Sequence, residues 1–347
     1  MQDNMCELEN ETNVWLPVEV INKIVKLLNN IPKKYMCIQE DCNRKDVFYC
    51  SDEVVQIRPS THPLFRLKKL GLVVKVLYDK ERVENEKRAR SVLKNTFNLV
   101  PMGFACYDGG YLEIMPYLED SLMLSEVSRK SLSDFVQIYD EVSTKVFRYI
   151  LFNKKSFMKD EKVVFAGRTL DCMNQWTNEL IDLMKECRLF SYTTGIEYNL
   201  SDVLKKVLDE LNSNTRNTCI FSGDINCHNI LYTKKDIFLI DFEYWGNFDV
   251  EYLVSVLLGS LFSHCDLYEN CFIEDEKTVI KIRYSLKVDL SKVKALKVIQ
   301  EMSVDNERIK AYILARMYYK FLEIKERVQD SKNIIVVCAI LDYFSEL

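Results

Sequence analysis

Asp224 and Asn229 stand five residues apart in the run Ser222-Gly223-Asp224-Ile225-Asn226-Cys227-His228-Asn229, and a second carboxylate, Asp241, follows in Ile237-Phe238-Leu239-Ile240-Asp241-Phe242-Glu243. Oxygen-bearing side chains in this order can divide a reaction between them. One carboxylate orients, and can deprotonate, an attacking hydroxyl; an amide oxygen and the other carboxylate hold a divalent ion against phosphate oxygens. An Asp and an Asn at this spacing also suit an ordinary capped turn. The setting is what points to chemistry. Cys219-Ile220-Phe221 reads as a strand running into the loop, and Ile230-Leu231-Tyr232 pairs as a hairpin with the run from Ile237 about the polar turn Lys234-Lys235-Asp236. Asp241 falls where the second hairpin strand ends, and loops at strand ends on a rigid scaffold are where catalytic groups concentrate.

The elements around this loop fall into two textures. Leu16 to Asn30 reads as a helix, with Pro17 in its first turn and Ile21, Ile24, Val25 and Leu28 on one face. From Val47 the chain turns β-rich: Val47–Cys50, Val54–Ile57, Leu64–Leu67 and Leu72–Tyr78 each read as strands. A helix over about Glu81 to Lys94 follows, with Val83, Ala89, Val92 and Leu93 expected to be buried. Gly103–Cys106 and Tyr111–Met115 flank the turn signal Asp108-Gly109-Gly110. After Pro116 the pattern is mainly helical. Lys75 sits inside the apolar run Val73-Val74-Lys75-Val76-Leu77; taken alone it is a strand lysine pointing to solvent.

The loop and hairpin resemble the aminoglycoside phosphotransferase and choline kinase family of protein-kinase-like enzymes. The family's His-Gly-Asp-x-x-x-x-Asn is matched by Ser222-Gly223-Asp224-x-x-x-x-Asn229, and its Ile-Asp-Phe/Trp-Glu/Asp by Ile240-Asp241-Phe242-Glu243. The resemblance implies an α+β, two-lobed protein-kinase-like fold. A small antiparallel-sheet N-lobe with one key helix (residues 1–116) would bind the nucleotide, and a larger, mainly helical C-lobe (117–347) would hold the catalytic loop and acceptor site. It implies ATP and Mg²⁺ as cofactors, Asp224 as catalytic base, and Asn229 and Asp241 as metal ligands. Lys75 becomes the strand lysine on the nucleotide phosphates, and Glu86, with Glu84 as fallback, its ion-pair partner. Glu113 and Met115 occupy the place of the hinge that meets adenine, and Asp249 a structural position. The acceptor is a hydroxyl of an aminoglycoside-, choline- or sugar-like small molecule.

Three departures matter. Ser222 replaces the family histidine, and a local hydrogen bond from its hydroxyl is expected instead. His228 beside Asn229 is either a substrate contact or a plain loop side chain. No glycine precedes Gly71, so there is no glycine-rich phosphate loop; Ser60 and Thr61 in Arg58-Pro59-Ser60-Thr61-His62 either contact phosphate or form an ordinary polar turn. These gaps keep open a non-catalytic binding or structural relative, of the spore-coat pseudokinase kind. A protein kinase lacks support, because no Asp-Phe-Gly or Ala-Pro-Glu segment occurs.

Composition narrows the classes. In 347 residues, 47 Lys+Arg face 52 Asp+Glu, a net charge of −5, which argues against a nucleic-acid binder. Twelve cysteines form no Cys-x-x-Cys pair, so reduced, small buried thiols are expected rather than a zinc site. The acidic start is unlike a signal peptide, and the most apolar run, Tyr252–Phe262, is too short to span a bilayer. A cytoplasmic protein without membrane or nucleic-acid partners is expected. For the acceptor, Glu243, Asp249, Glu251 and Asp266 would suit a polycation, and Tyr244, Trp245, Phe248 and Tyr252 a quaternary ammonium.

Overall fold

A computed structural model describes residues 16–32, 49–58, 62–107, 110–157, 163–215, 217–276, 278–325 and 332–347. The chain divides into two compact units: Met1–Ser121 with Phe238–Glu243, and Leu122–Ile237 with Tyr244–Leu347.

The first unit is built on a five-stranded antiparallel sheet. Its elements are α1 (Val18–Asn29), β1 (Val54–Arg58), β2 (Leu64–Leu67), β3 (Leu72–Leu77), α2 (Lys80–Leu93), β4 (Gly103–Tyr107) and β5 (Gly110–Pro116), with strand order β1-β2-β3-β5-β4. Period-two alternation sorts β3 between the faces of the sheet. Val74 and Val76 join the core that buries Ile24 and Leu28 of α1, together with Phe65, Leu67, Leu112 and Ile114. Leu77 joins a second cluster with Val83 of α2, Met102 and Phe104. Lys75 alternates with Val74 and Val76 and so shares the α2 face. α2 opens on Asp79, whose carboxylate accepts from the Glu81 amide at 2.8 Å, satisfying one free N–H of the first turn. Its buried stripe is Val83, Glu86, Ala89 and Leu93. Val92, expected inside, is 51% exposed, because at 100° per residue it lies off that stripe. The strand expected at Val47–Cys50 falls partly outside the described residues; Cys50 makes an isolated antiparallel bridge to Val55.

The second unit carries short β6 (Leu122–Met123), then α3 (Leu124–Lys130), α4 (Leu132–Asn153), β7 (Lys155–Ser156), α5 (Leu170–Leu183), β8 (Arg188–Ser191), β9 (Glu197–Asn199) and α6 (Leu200–Leu211). There follow β10 (Asn217–Ser222), β11 (Ile230–Tyr232), β12 (Ile237–Leu239), which runs across the boundary into the first unit, and β13 (Trp245–Asp249). The remainder is α7 (Val250–Phe262), β14 (Tyr268–Glu276), β15 (Val279–Leu286), α8 (Lys294–Glu301), α9 (Asn306–Arg316), α10 (Tyr318–Lys325) and α11 (Lys332–Ser345). α7 is buried nearly all round, as a helix apolar on every face must be. No helix among the described residues is long and apolar enough to cross a membrane.

The expectation of a helical body with a single β interruption is corrected in one place. β14, β15, β8 and β9 form a four-stranded sheet, in which β15 pairs parallel with β8. The C-terminal helix is fastened to it through Asp342, only 3% exposed, whose carboxylate accepts from Ser191 (2.6 Å), Thr194 (2.8 Å), Tyr198 (2.9 Å) and Tyr284 (2.8 Å). Four hydroxyl donors replace the hydration that a buried carboxylate loses. Cys219, Cys227 and Cys338 are buried and free; burial pushes the thiols of Cys219 and Cys227 up to about 12. The Cys227 thiol in the loop after β10 is therefore a small buried hydrophobe with little thiolate.

Candidate active site

In the first unit the chain returns at Phe238–Glu243 and is tied in by its backbone. Leu239 N donates to Asn98 O at 3.1 Å, and Leu99 and Leu239 form a parallel bridge. This brings Asp241 and Glu243 to Lys75. The Lys75 ammonium lies 2.9 Å from Asp241 Oδ1 and 3.2 Å from Glu243 Oε2, with 12% of its side chain exposed. Burial pulls the lysine pKa down, but Asp241, Glu113 and Glu243 outweigh it and raise it above the ordinary value. Lys75 is a fixed cation. Asp241 sits at φ 66°, a left-handed conformation that aspartate tolerates better than most residues and that clusters at functional sites.

The ion pair expected between Lys75 and Glu86 is not formed. Glu86, fully buried, pairs instead with Arg90 one turn on in α2 at 2.7 Å, and its other oxygen accepts the Phe242 amide. The physical reason is competition: two carboxylates from the returning segment saturate the lysine, while Arg90 at the i+4 position neutralises Glu86 within its own helix. Glu86 therefore holds the backbone beside Asp241. Asn85 Nδ2 donates to Glu243 O at 3.1 Å, and Arg82 reaches Glu243 Oε1 at 3.1 Å. One helix thus holds Phe242 and Glu243. Burial lowers the pKa of His62, against the opposing charge of Glu243.

Glu113 lies directly opposite Lys75 in the β3–β5 ladder, and Met115 opposite Val73. The sequence marks Glu113 only as a hinge position, yet its side chain is 1% exposed and Oε1 has no hydrogen-bond partner among the described residues. Burial, then the neighbouring Glu86, raise its pKa well above the carboxylate range. A raised folded value means that stability from Glu113 is fully present below its unfolded pKa, near 4.5, and is lost as pH rises through the folded value. Glu113→Gln should therefore match the wild type near pH 4 and be more stable at pH 8, by about 1 kcal/mol or more, measured by urea denaturation. Lower stability of the variant at pH 8 would show an ionised, compensated Glu113. Ser60 and Thr61 lie outside the described residues.

In the second unit the loop after β10 is braced by its own amides. Asn229 Nδ2 donates to Asp224 O at 2.7 Å and Asn226 Nδ2 to the same carbonyl at 3.0 Å. Asn229 is 8% exposed, and with Nδ2 engaged its Oδ1 is the atom left for a ligand. Gly223 N donates to Tyr244 O at 2.9 Å. A Cβ at Gly223 would meet Phe248 Cζ at 2.1 Å, and Phe248 is fixed by stacking on Tyr252 (5.6 Å, 11°). Gly223→Ala should cost about 1–3 kcal/mol, read as a lowered melting temperature; an unchanged one would contradict this packing. The local hydrogen bond expected of Ser222 is not formed: its Oγ is buried without a partner among the described residues. His228 is exposed and its Nδ1 faces Ser125 Oγ at 2.9 Å.

Of the residues expected to line an acceptor surface, Tyr244, Trp245 and Asp266 are half-buried and the others are buried. Asp249 is engaged by Arg308 (2.8 Å) and Tyr312 (2.8 Å), and Glu251, 2% exposed, accepts from Asp305 N (3.3 Å). Burial, then the hydrogen bond with Asp249, push Glu251 up to about 8. Glu243 faces Lys75 and Arg82, and Asp266 accepts from Ser128. Phe248 and Tyr252 are core residues, 1% and 0% exposed. What the sequence did not reveal is a pair of arginines. Arg316 Nη2 lies 3.8 Å from Asp224 Oδ1 and Nη1 donates to Tyr252 Oη at 3.0 Å, while Arg168 lies over Trp176 at 5.7 Å. Neither arginine is near the loop in the chain, so no local pattern could have marked them.

No protein-family model and no curated protein matches the chain. Solved structures similar to it include a choline/ethanolamine kinase family protein from Mesorhizobium loti (11% identity, 94% of each chain, TM-score 0.46). An amicoumacin kinase bound to AMP-PNP and Ca²⁺ matches over 94% of this chain and 96% of its own (10% identity, TM-score 0.48). An aminoglycoside phosphotransferase from Streptomyces rimosus matches over 82% of this chain and 97% of its own (11% identity, TM-score 0.43). By their names these similar structures are small-molecule kinases, the group whose motifs the sequence resembles.

Proposed function

We propose that the chain is a cytoplasmic, ATP- and Mg²⁺-dependent phosphotransferase acting on a hydroxyl of a small molecule. The observation that carries the reading is the buried Lys75 ammonium, 2.9 Å from Asp241 on a segment held by Glu86 and Asn85. A permanently charged strand lysine paired with the carboxylate of the Ile-Asp-Phe-Glu motif is what phosphate binding needs and what a plain solvent-facing lysine would not show. In this reading residues 1–116 bind the nucleotide, with Glu113 and Met115 at the adenine-proximal strand and Ser60 and Thr61 near the phosphates. Residues 117–347 supply the acceptor site.

The donor set fits magnesium. Mg²⁺ takes hard oxygen ligands and is usually held by one or two protein groups together with substrate phosphates. Asp241 keeps Oδ2 without a hydrogen bond among the described residues, and Asn229 keeps Oδ1. These two residues would hold the ion, which when bound neutralises phosphate charge. Lys75 would cancel further negative charge on the nucleotide. Asp224, 34% exposed at its side chain, would accept the proton of the acceptor hydroxyl as the oxygen attacks the terminal phosphorus and the bond from that phosphorus to the bridging oxygen breaks, releasing ADP. Asn226 and Asn229, by bonding the Asp224 carbonyl rather than spanning its carboxylate, position that base.

Calorimetric titration with AMP-PNP tests the nucleotide half. Binding that requires Mg²⁺ and weakens at least about tenfold in Asp241→Asn is expected, the loss of a charged ligand being worth 1.4 kcal/mol or more. No binding at millimolar nucleotide would favour a non-catalytic protein on the same scaffold.

A further inference from the structure

We propose that Arg168 and Arg316 form the recognition site for an anionic group, carboxylate or phosphate, carried by the acceptor whose hydroxyl Asp224 addresses; this rests on the phosphotransferase reading. Both arginines belong to the second unit and both are organised by Tyr252. Arg316, the last residue of α9, donates to the tyrosine oxygen at 3.0 Å, with its guanidinium 5.6 Å from the ring. Arg168 lies in the turn closed by its own amide on Phe165 O at 3.0 Å, and Phe165 packs edge-on against Tyr252 at 5.1 Å. Trp176, under the Arg168 guanidinium, is itself stacked on Tyr318 at 5.1 Å. Two aromatic supports thus hold two cationic forks on the Asp224 side of this unit.

The charges do not balance. Asp224 is the carboxylate that Arg316 meets, and at 3.8 Å with 18% of the arginine side chain exposed the contact is loose. Arg168 forms no ion pair among the described residues, and its Nε is buried without a partner. Burial, then the charge of Arg316, lower its pKa, with Tyr252 and Asp224 acting the other way, so two guanidiniums share the one carboxylate of Asp224. A half-buried cation next to a like charge is costly unless an anion compensates. Guanidinium forks match carboxylate and phosphate oxygens bidentately. A choline-like or aminoglycoside-like cation would meet repulsion here, and Glu243 and Asp249 are already paired with Lys75 and Arg308.

The test is calorimetry on the full chain without nucleotide, at constant ionic strength. Inorganic phosphate and D-gluconate serve as anionic probes, choline and D-glucosamine as cationic ones. Both anions should bind at millimolar concentration or tighter and the cations give no heat. Arg168→Gln and Arg316→Gln should each weaken anion binding at least about tenfold, with Arg168→Lys, which keeps the charge but not the fork, in between. Circular dichroism checks that each variant folds, and Arg168→Lys serves if the glutamine variant does not. Absence of anion binding, binding of the cations, or unchanged anion affinity in both variants overturns the proposal. ATP–Mg²⁺ titrated into the same variants separates the sources: if ATP affinity falls tenfold and phosphate affinity does not, the forks serve the nucleotide and the acceptor assignment fails. Wild-type ATP–Mg²⁺ binding without anion binding sinks this proposal alone; anion binding without ATP–Mg²⁺ binding sinks the phosphotransferase reading and, with it, the acceptor assignment.

Discussion

Asp224→Asn is expected to slow ATP-dependent phosphoryl transfer by about 10³-fold, within the range that a positioned general base supplies, while leaving the fold intact. The reason for separating activity from stability lies in how the loop is braced. Its strong hydrogen bonds run to the Asp224 backbone carbonyl, from Asn229 at 2.7 Å and Asn226 at 3.0 Å, and these survive an amide side chain. The carboxylate itself lies 3.5 Å from Asn229 Nδ2 and 3.8 Å from Arg316. An isosteric amide should therefore change unfolding free energy by no more than about 0.5 kcal/mol. ADP release and urea denaturation measured on the same preparation check both halves. A variant that turns over near the wild-type rate would remove Asp224 from the mechanism.

Lys75→Met should have the largest effect on stability, a loss of about 3–5 kcal/mol, because one partner of a buried charge cluster is removed and the others are left uncompensated. Asp241 and Glu243 lose the ammonium, and Glu113 and Glu86 lose the charge that partly offsets their burial. The pH dependence follows with a definite sign. The folded pKa of Lys75 is raised, so its contribution is fully present below the unfolded value and lost only as pH rises through the folded one. Between pH 7 and 9 the deficit of the variant should be constant. At acid pH the raised pKa of Glu86 favours its neutral form, and the deficit should narrow. Urea denaturation at pH 5, 7 and 9 reads this directly. A deficit below about 1 kcal/mol at pH 7 would mean that Lys75 is a solvated strand residue after all.

The β-rich first unit was legible because its strands are short apolar runs with turn chemistry between them. Leu64–Leu67 was anticipated to the residue, and the runs at Val54 and Leu72 to within one residue. β15 carried a readable alternation, with Ile280, Ile282 and Tyr284 buried and Lys281 and Arg283 facing outward. It was obscured because its partner β14 is a largely exposed, acidic edge strand with no apolar period. Glu86 could be placed on the buried face of α2 from its neighbours, but its partner could not. Choosing between Lys75 and Arg90 requires knowing that Glu243 reaches the lysine, a contact between residues 168 apart in sequence. The burial of Asp249, Glu251, Phe248 and Tyr252 was hidden for a similar reason. Carboxylates and aromatics were visible after Asp241, but their engagement by Arg308, Tyr312 and the α7 core is a property of packing.

The most direct measurement follows the terminal phosphate itself: ATP labelled in the γ-phosphoryl group is incubated with the full chain, Mg²⁺ and a panel of hydroxylated carboxylates, sugar phosphates, neutral sugars and amino alcohols. Label should move to an acceptor only with Mg²⁺, and disappear from that product in Asp224→Asn. Label that stays on ATP with every acceptor, or that is transferred equally by Asp224→Asn, would contradict the account.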